Sequence, residues 1–168
     1  MNSNFISQIL RFIVLILVQI TILNHINFLE YLNPYLYILF IVLYPIKNDR
    51  MVFLLVSFLL GLVVDMFSDS GGIHAAACVT ITYLRPLILK WTLGTVYEYQ
   101  SIKFNNIDFS ARLMYISILT IIHHLILFLL EVFNFSEIFL TLKKTLFSSI
   151  FTILLCIIVT IIFSKRSK

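Results

Sequence analysis

The chain has 168 residues, of which 61% are hydrophobic and 12% charged, about half the roughly 25% charged content of soluble domains. Mean hydropathy is +1.04. This excludes a water-soluble globule, because a domain of ~150 residues still leaves ~30% of its chain surface wet. The net charge of +4 does not indicate nucleic acid either. The basic residues sit beside and between apolar runs, where membrane orientation accounts for them.

Six apolar runs follow in order, each read against the ~17–25 residues that a spanning helix needs. Residues 1–8 are short and polar, and nothing like an A-x-A cleavage site follows, so the first run is expected to stay as an anchor. The helices are expected at about 7–28, 32–46, 51–67, 72–90, 111–131 and 145–163. The second is short and bracketed by Pro34 and Pro45, which suit a first turn and an end. The third carries Asp65 near its end, and the fourth carries Arg85 and Pro86 near its own. The sixth is the most uniformly apolar. Apolar residues are continuous and do not alternate, which favours helices over barrel strands. The expected fold is therefore an all-α integral membrane protein of six transmembrane helices with short loops, one transmembrane domain over 1–168. The one long loop, about 90–112, carries Trp91, Tyr97, Glu98, Tyr99, Lys103 and Asp108, with its leading aromatics at a headgroup boundary.

With the N-terminus placed inside, ten of the twelve Lys and Arg residues fall inside, and only Lys143 and Lys144 fall outside. Both termini are thus expected in the cytoplasm.

The candidate residues cluster around the third and fourth runs. Asp65 is an ionisable residue in a spanning helix, which marks it as a functional candidate. It lies near the outer end, where it can cap the following helix together with Ser68, Asp69 and Ser70. A partner contact and proton or ion handling are the other readings. Gly61, Gly71, Gly72, Ala75, Ala76 and Ala77 allow close helix approach, either between helices three and four or as a groove for another protein's helix. His74 opens the fourth helix, and His123 and His124 lie in the middle of the fifth. Adjacent helix positions diverge by ~100°, so the pair is not a chelating i, i+4 arrangement. Polar bridges to His74 or Gln19 are expected, with a proton relay or a metal site as alternatives. Cys78 and Cys156 read as small apolar core residues. No nucleotide loop, nucleophile elbow, H-E-x-x-H or cysteine cluster occurs, so neither an enzyme nor a cofactor is expected.

Tyr44–Pro86 reads YPIKNDRMVFLLVSFLLGLVVDMFSDSGGIHAAACVTITYLRP. A helix ending G-L-x-x-D (Gly61, Leu62, Asp65) is followed by a polar turn. Then come G-x-H-A (Gly72, His74, Ala75), a small-residue helix with Ala76, and a close on Tyr83-Leu84-Arg85-Pro86. This pattern resembles the rod shape-determining protein MreD family, and Val18-Gln19 with Asn24 is similar to that family's first helix. The resemblance implies a non-catalytic component of the bacterial inner membrane that serves cell elongation and peptidoglycan synthesis. It implies MreC as partner, with MreB, RodA and a penicillin-binding transpeptidase in the wider complex. The family's fold is also similar to substrate-binding subunits of energy-coupling-factor transporters, which implies an alternative, a vitamin-like solute-binding subunit.

Reporter fusions at Ser167 and near Asn105 are expected to read cytoplasm, and a fusion near Asn134 periplasm. Opposite-side signals from Asn105 and Ser167 would exclude the six-crossing layout.

Overall fold

The computed structural model of the chain describes residues 3–26, 33–46, 49–94, 107–132 and 138–163. Among these the structure is all-helical, with no strand. Helix α1 spans Ser3–Thr21 and runs into a 3-10 turn at Leu23–His25; α2 spans Ile38–Leu43; α3 spans Arg50–Ser68. Helix α4 spans Ile73–Leu93, α5 Phe109–Val132 and α6 Ile138–Ile162. Helices α1 (with its 3-10 turn), α3, α5 and α6 are long and apolar enough to cross a membrane. Helix α4 has the length but carries Arg85, Pro86 and Lys90, and α2 has only six residues. Most of the expected 90–112 loop, with Tyr97, Glu98, Tyr99 and Lys103, lies outside the described residues, as do Lys47, Lys165, Arg166 and Lys168.

Helix α6 shows which solvent the bundle is built for. Its buried residues are Thr141, Thr145, Ser148, Ser149, Thr152, Cys156 and Thr160, recurring every three to four positions. The opposite face exposes Phe139, Leu142, Leu146, Ile150, Leu154 and Ile158. A helix in water buries its apolar stripe; here the order is reversed. Small hydroxyl residues pack inward, where they allow close approach, and the large side chains meet lipid. The chain is a membrane protein. Helix α6 also starts earlier than its apolar run, because Lys143 and Lys144 are good helix formers. Lys144 turns back to pair with Glu131 at 3.4 Å.

The long helices stand in sequence around α2. Helix α1 packs on α3, α3 on α4, α4 on α5 and α5 on α6. Paired contacts give their directions. Asn24 Nδ2 donates to Ser68 Oγ at 3.0 Å, so α1 and α3 end on one side. Arg85 reaching Tyr115 and His124 meeting Thr152 make α4, α5 and α6 alternate. The start of α1 and the end of α6 therefore share one end of the bundle.

In the middle lies α2. The helix expected over 32–46 is shorter than its run: only Ile38–Leu43 is helical. Tyr44, which precedes Pro45, has φ −62° and ψ 139°, because a proline disfavours helical backbone in the residue before it. Pro34 lies in non-helical chain ahead of the helix instead of its first turn. Tyr37, Ile38, Ile41 and Val42 are wholly buried. The six residues rise only ~9 Å. Non-helical chain flanks α2 on both sides, and the segment runs antiparallel to α1, with Leu36 beside Gln19 and Leu43 beside Arg11.

So short a helix leaves most of its backbone groups outside any helical ladder, and in lipid each must find a partner. The surrounding helices supply them. Gln19 of α1, itself buried, accepts from Leu36 N at 2.8 Å and donates to Pro34 O at 3.1 Å. Its side-chain amide acts as a neighbouring peptide would. Thr152 of α6 accepts from Tyr35 N at 3.0 Å. At the other end Arg85 of α4 donates to Val42 O at 3.3 Å and to Tyr44 O, and Tyr115 of α5 donates to Val42 O at 3.3 Å. Arg11 of α1 donates to Leu43 O at 3.3 Å. The Arg85 guanidinium also lies over the Phe53 ring, 5.1 Å from its centroid, and Tyr44 stacks on that ring at 4.1 Å. Among the described residues Arg85 meets no carboxylate. Its charge faces the C-terminal carbonyls of α2, the negative end of the helix dipole.

Replacing Arg85 with Leu removes donors from these carbonyls and is expected to lower stability by on the order of 3 kcal/mol, at ~1–3 kcal/mol per orphaned buried group. Arg85→Lys should recover only part of this, since an ammonium cannot reproduce the fork. Thermal unfolding in detergent measures both.

Candidate functional site: the buried hairpin and the polar cavity above it

The α3–α4 hairpin is built around a close backbone approach. A Cβ added to Gly61 would lie 2.4 Å from Ala75 Cα, so only glycine lets the two helices touch here. Asp65 lies one turn further along the same face of α3. The approach brings its carboxylate to the start of α4, where it accepts from His74 N at 3.0 Å and Ala75 N at 2.9 Å. Ser70 Oγ donates to it as well, at 2.6 Å. The residue at the N-cap position of α4 is Gly72, which has no side chain to offer. Asp65 therefore does from α3 the work that an N-cap side chain does locally, with its charge at the positive end of the α4 dipole. The turn itself needs left-handed backbone: Asp69, Gly71 and Gly72 have φ of 50°, 65° and 98°.

The small residues divide by face. Ala75 and Ala77 are buried, Ala77 against Leu127 and Phe128 of α5. Ala76 is exposed. Arg85 and Pro86 lie farther down α4, at the carbonyl end of α2, not at the hairpin. Cys78 and Cys156 are buried and free.

His74, His123 and His124 come together through tyrosine and threonine. Tyr37 Oη lies 2.7 Å from His74 Nδ1 and 2.9 Å from His123 Nε2. His124 Nδ1 lies 2.8 Å from Thr120 O, and its Nε2 lies 3.2 Å from Thr152 Oγ1. Proton positions follow from the acceptors. A carbonyl only accepts, so His124 carries its proton on Nδ1 and accepts at Nε2 from the Thr152 hydroxyl. That hydroxyl in turn accepts from Tyr35 N. His123 Nδ1 is buried without a partner among the described residues. An orphaned N–H is the rarer and costlier state, so the His123 proton sits on Nε2 and is donated to Tyr37, which donates onward to His74. The two chains of hydrogen bonds tie α2 and the chain leading into it to α4, α5 and α6. Among the described residues no group of three or more His, Cys, Asp or Glu side chains is placed to hold a metal ion.

Above this network, at the end where α1, α3 and α5 finish, a cavity of about 720 Å³ opens. Its polar lining includes Asn24, Asn33, Tyr35, Asp69, His74 and Glu131, and Leu127 is among its apolar walls. Tyr35 forms the contact between cavity and network, its ring 5.4 Å from that of His74 and 5.2 Å from that of His124.

Sequence reasoning singled out Asp65, His74 and the His pair but not Tyr35, Tyr37, Thr152 or Glu131. The available signals were two tyrosines just after Pro34 in an otherwise aliphatic run, and hydroxyls at helical spacing in the sixth run. Compared with protein-family models, with curated proteins and with solved structures, the chain matches none.

Gly61→Ala is expected to destabilise by about 1–3 kcal/mol, as overpacking does, because the obstacle is backbone and cannot swing away. Asp65→Asn keeps one acceptor oxygen and should be milder than Asp65→Leu by roughly 1 kcal/mol. Equal loss of stability in both would mean that the charge, not the cap, matters. Detergent melting curves read all three variants.

Proposed function

We propose that the chain is a non-catalytic component of a bacterial cell-elongation complex in the inner membrane. In this reading it crosses six times with both termini cytoplasmic, binds MreC, and helps couple MreB to peptidoglycan synthesis by RodA and a penicillin-binding transpeptidase. The supporting observation is that Gly61, Asp65, Gly72, His74, Ala75 and Arg85, which carry the MreD resemblance, lie in the contacts joining α3 to α4 and α4 to α2. A scaffold needs such fixed helix spacing. Its outward faces are apolar, and helix faces are where a single-span partner would pack.

One observation favours a second reading, a vitamin-like solute-binding subunit: the cavity of about 720 Å³ falls within the ~300–1,000 Å³ usual for small-molecule sites and has convergent polar groups. Purification in mild detergent separates the two. A scaffold co-purifies with an MreC-like single-span protein, whereas a solute-binding subunit retains a small molecule visible by native mass spectrometry in the absence of any partner.

Within the hairpin, Ala76 is the informative position for docking. Leu at buried Ala75 or Ala77 disturbs the bundle itself, and at Gly72 a side chain is strained by its backbone. Ala76→Leu is expected to abolish co-purification of the partner while insertion and accumulation stay normal. Undiminished co-purification would remove this face of α4 from the interface.

A further inference from the structure

The ring of long helices is not closed. Helix α6 packs on α5 and α1 packs on α3, and between α1 and α6 lies a groove of about 440 Å³. Leu10 and Val14 of α1 line one side and Phe163 the other, with Leu39 and Leu43 of the central helix also in its lining. Ser7 to Leu15 covers about 12 Å of α1 at 1.5 Å per residue, most of one ~15 Å leaflet. Leu10 and Val14 are exposed at 61% and 46%, so the walls are open to what lies beside the bundle.

One cation lines this apolar slot. Arg11 is half-buried and among the described residues makes a single long hydrogen bond, 3.3 Å from Nη1 to Leu43 O. Arg85, the other guanidinium at this end of α2, donates to Tyr115 and two carbonyls and lies over Phe53. Arg11 has none of that company, and among the described residues it meets no carboxylate. A guanidinium has five N–H donors in a planar fork suited to phosphate, so most of its hydrogen-bonding capacity is unused. In the sequence, three more cations follow α6 within residues 164–168.

We infer that the seam between α1 and α6 binds an anionic phospholipid, with an acyl chain in the apolar groove and the phosphate on Arg11. The lipid packs on Leu43, the one residue of α2 that is not fully buried, and satisfies the Arg11 donors. Charge complementarity selects this occupant over a second copy of the chain or another protein's apolar helix, neither of which brings a phosphate.

The full chain, purified and reconstituted with phosphatidylglycerol or with phosphatidylcholine, tests this. Phosphatidylglycerol should be retained through delipidation and raise the unfolding temperature, and phosphatidylcholine should do neither. Arg11→Gln should weaken phosphatidylglycerol binding about tenfold, while Arg50→Gln, at an exposed cation outside the groove, should leave it unchanged. Val14→Trp fills the groove from an exposed position and should abolish retention even if Arg11→Gln fails to fold. A photo-crosslinking residue at position 14 should yield a lipid adduct. Equal retention of both lipids, undiminished binding in Val14→Trp, or a crosslink to a second copy or to another protein would overturn the assignment.

Discussion

The constraint on which the structure depends is the backbone of residues 34–44. It lies at the centre of a bundle whose surroundings are lipid, where a backbone amide needs a partner within the protein, and six helical residues satisfy few of them internally. Four of the five long helices therefore contribute a polar side chain at a fixed height: Gln19 and Thr152 at the leading end, Arg85, Tyr115 and Arg11 at the trailing end. These five residues set the register of α1, α4, α5 and α6 around α2. Apolar packing alone does not do this in lipid, where the tails are as apolar as leucine.

The hairpin follows the same rule at the edge of the bundle. Gly61 removes a side chain so that two backbones meet, and the meeting allows Asp65 to satisfy the first amides of α4. Cap and close approach are one device. Without the approach the carboxylate falls short, and without the carboxylate the buried start of α4 has orphan donors. The histidines extend the rule inward. Their ring nitrogens join tyrosine and threonine hydroxyls into two hydrogen-bonded chains, one directed by the Thr120 carbonyl and the other by His123 Nδ1, which is buried without a partner among the described residues.

Much of this was legible in the sequence, and the reasons for the remainder are physical. Continuous apolar runs marked the long helices because lipid length and helical rise are fixed. Asp65 was legible because a charge in a spanning run needs a partner, and a helix N-terminus was seven residues away. The second run misled because hydropathy measures burial and not conformation. Residues 32–46 are as apolar as a spanning helix needs, yet prolines near both ends leave only Ile38–Leu43 helical. The buried hydroxyl stripe of α6 was hidden for the opposite reason. A scan for apolar content treats Thr145, Ser148, Ser149 and Thr152 as interruptions, although in lipid they mark the packing face.

The two openings in the bundle follow from the same mismatch of lengths. The surrounding helices have 19 to 25 residues, about 28–38 Å of rise, whereas α2 supplies ~9 Å. The chain on either side of α2 is not helical, and it fills less cross-section than a helix would. At the leading end the unfilled space is the polar cavity over Tyr35 and His74, polar because the groups that anchor this non-helical chain must come from the side chains around it. At the trailing end the chain is pinned by guanidinium groups, and the unfilled space is the apolar seam beside Arg11. A full-length helix in place of α2 would remove both spaces, together with the need for Gln19, Arg85 and Thr152. The broken second segment is thus the feature from which cavity, seam and buried polar network all derive, and a function located in either opening is a function of that break.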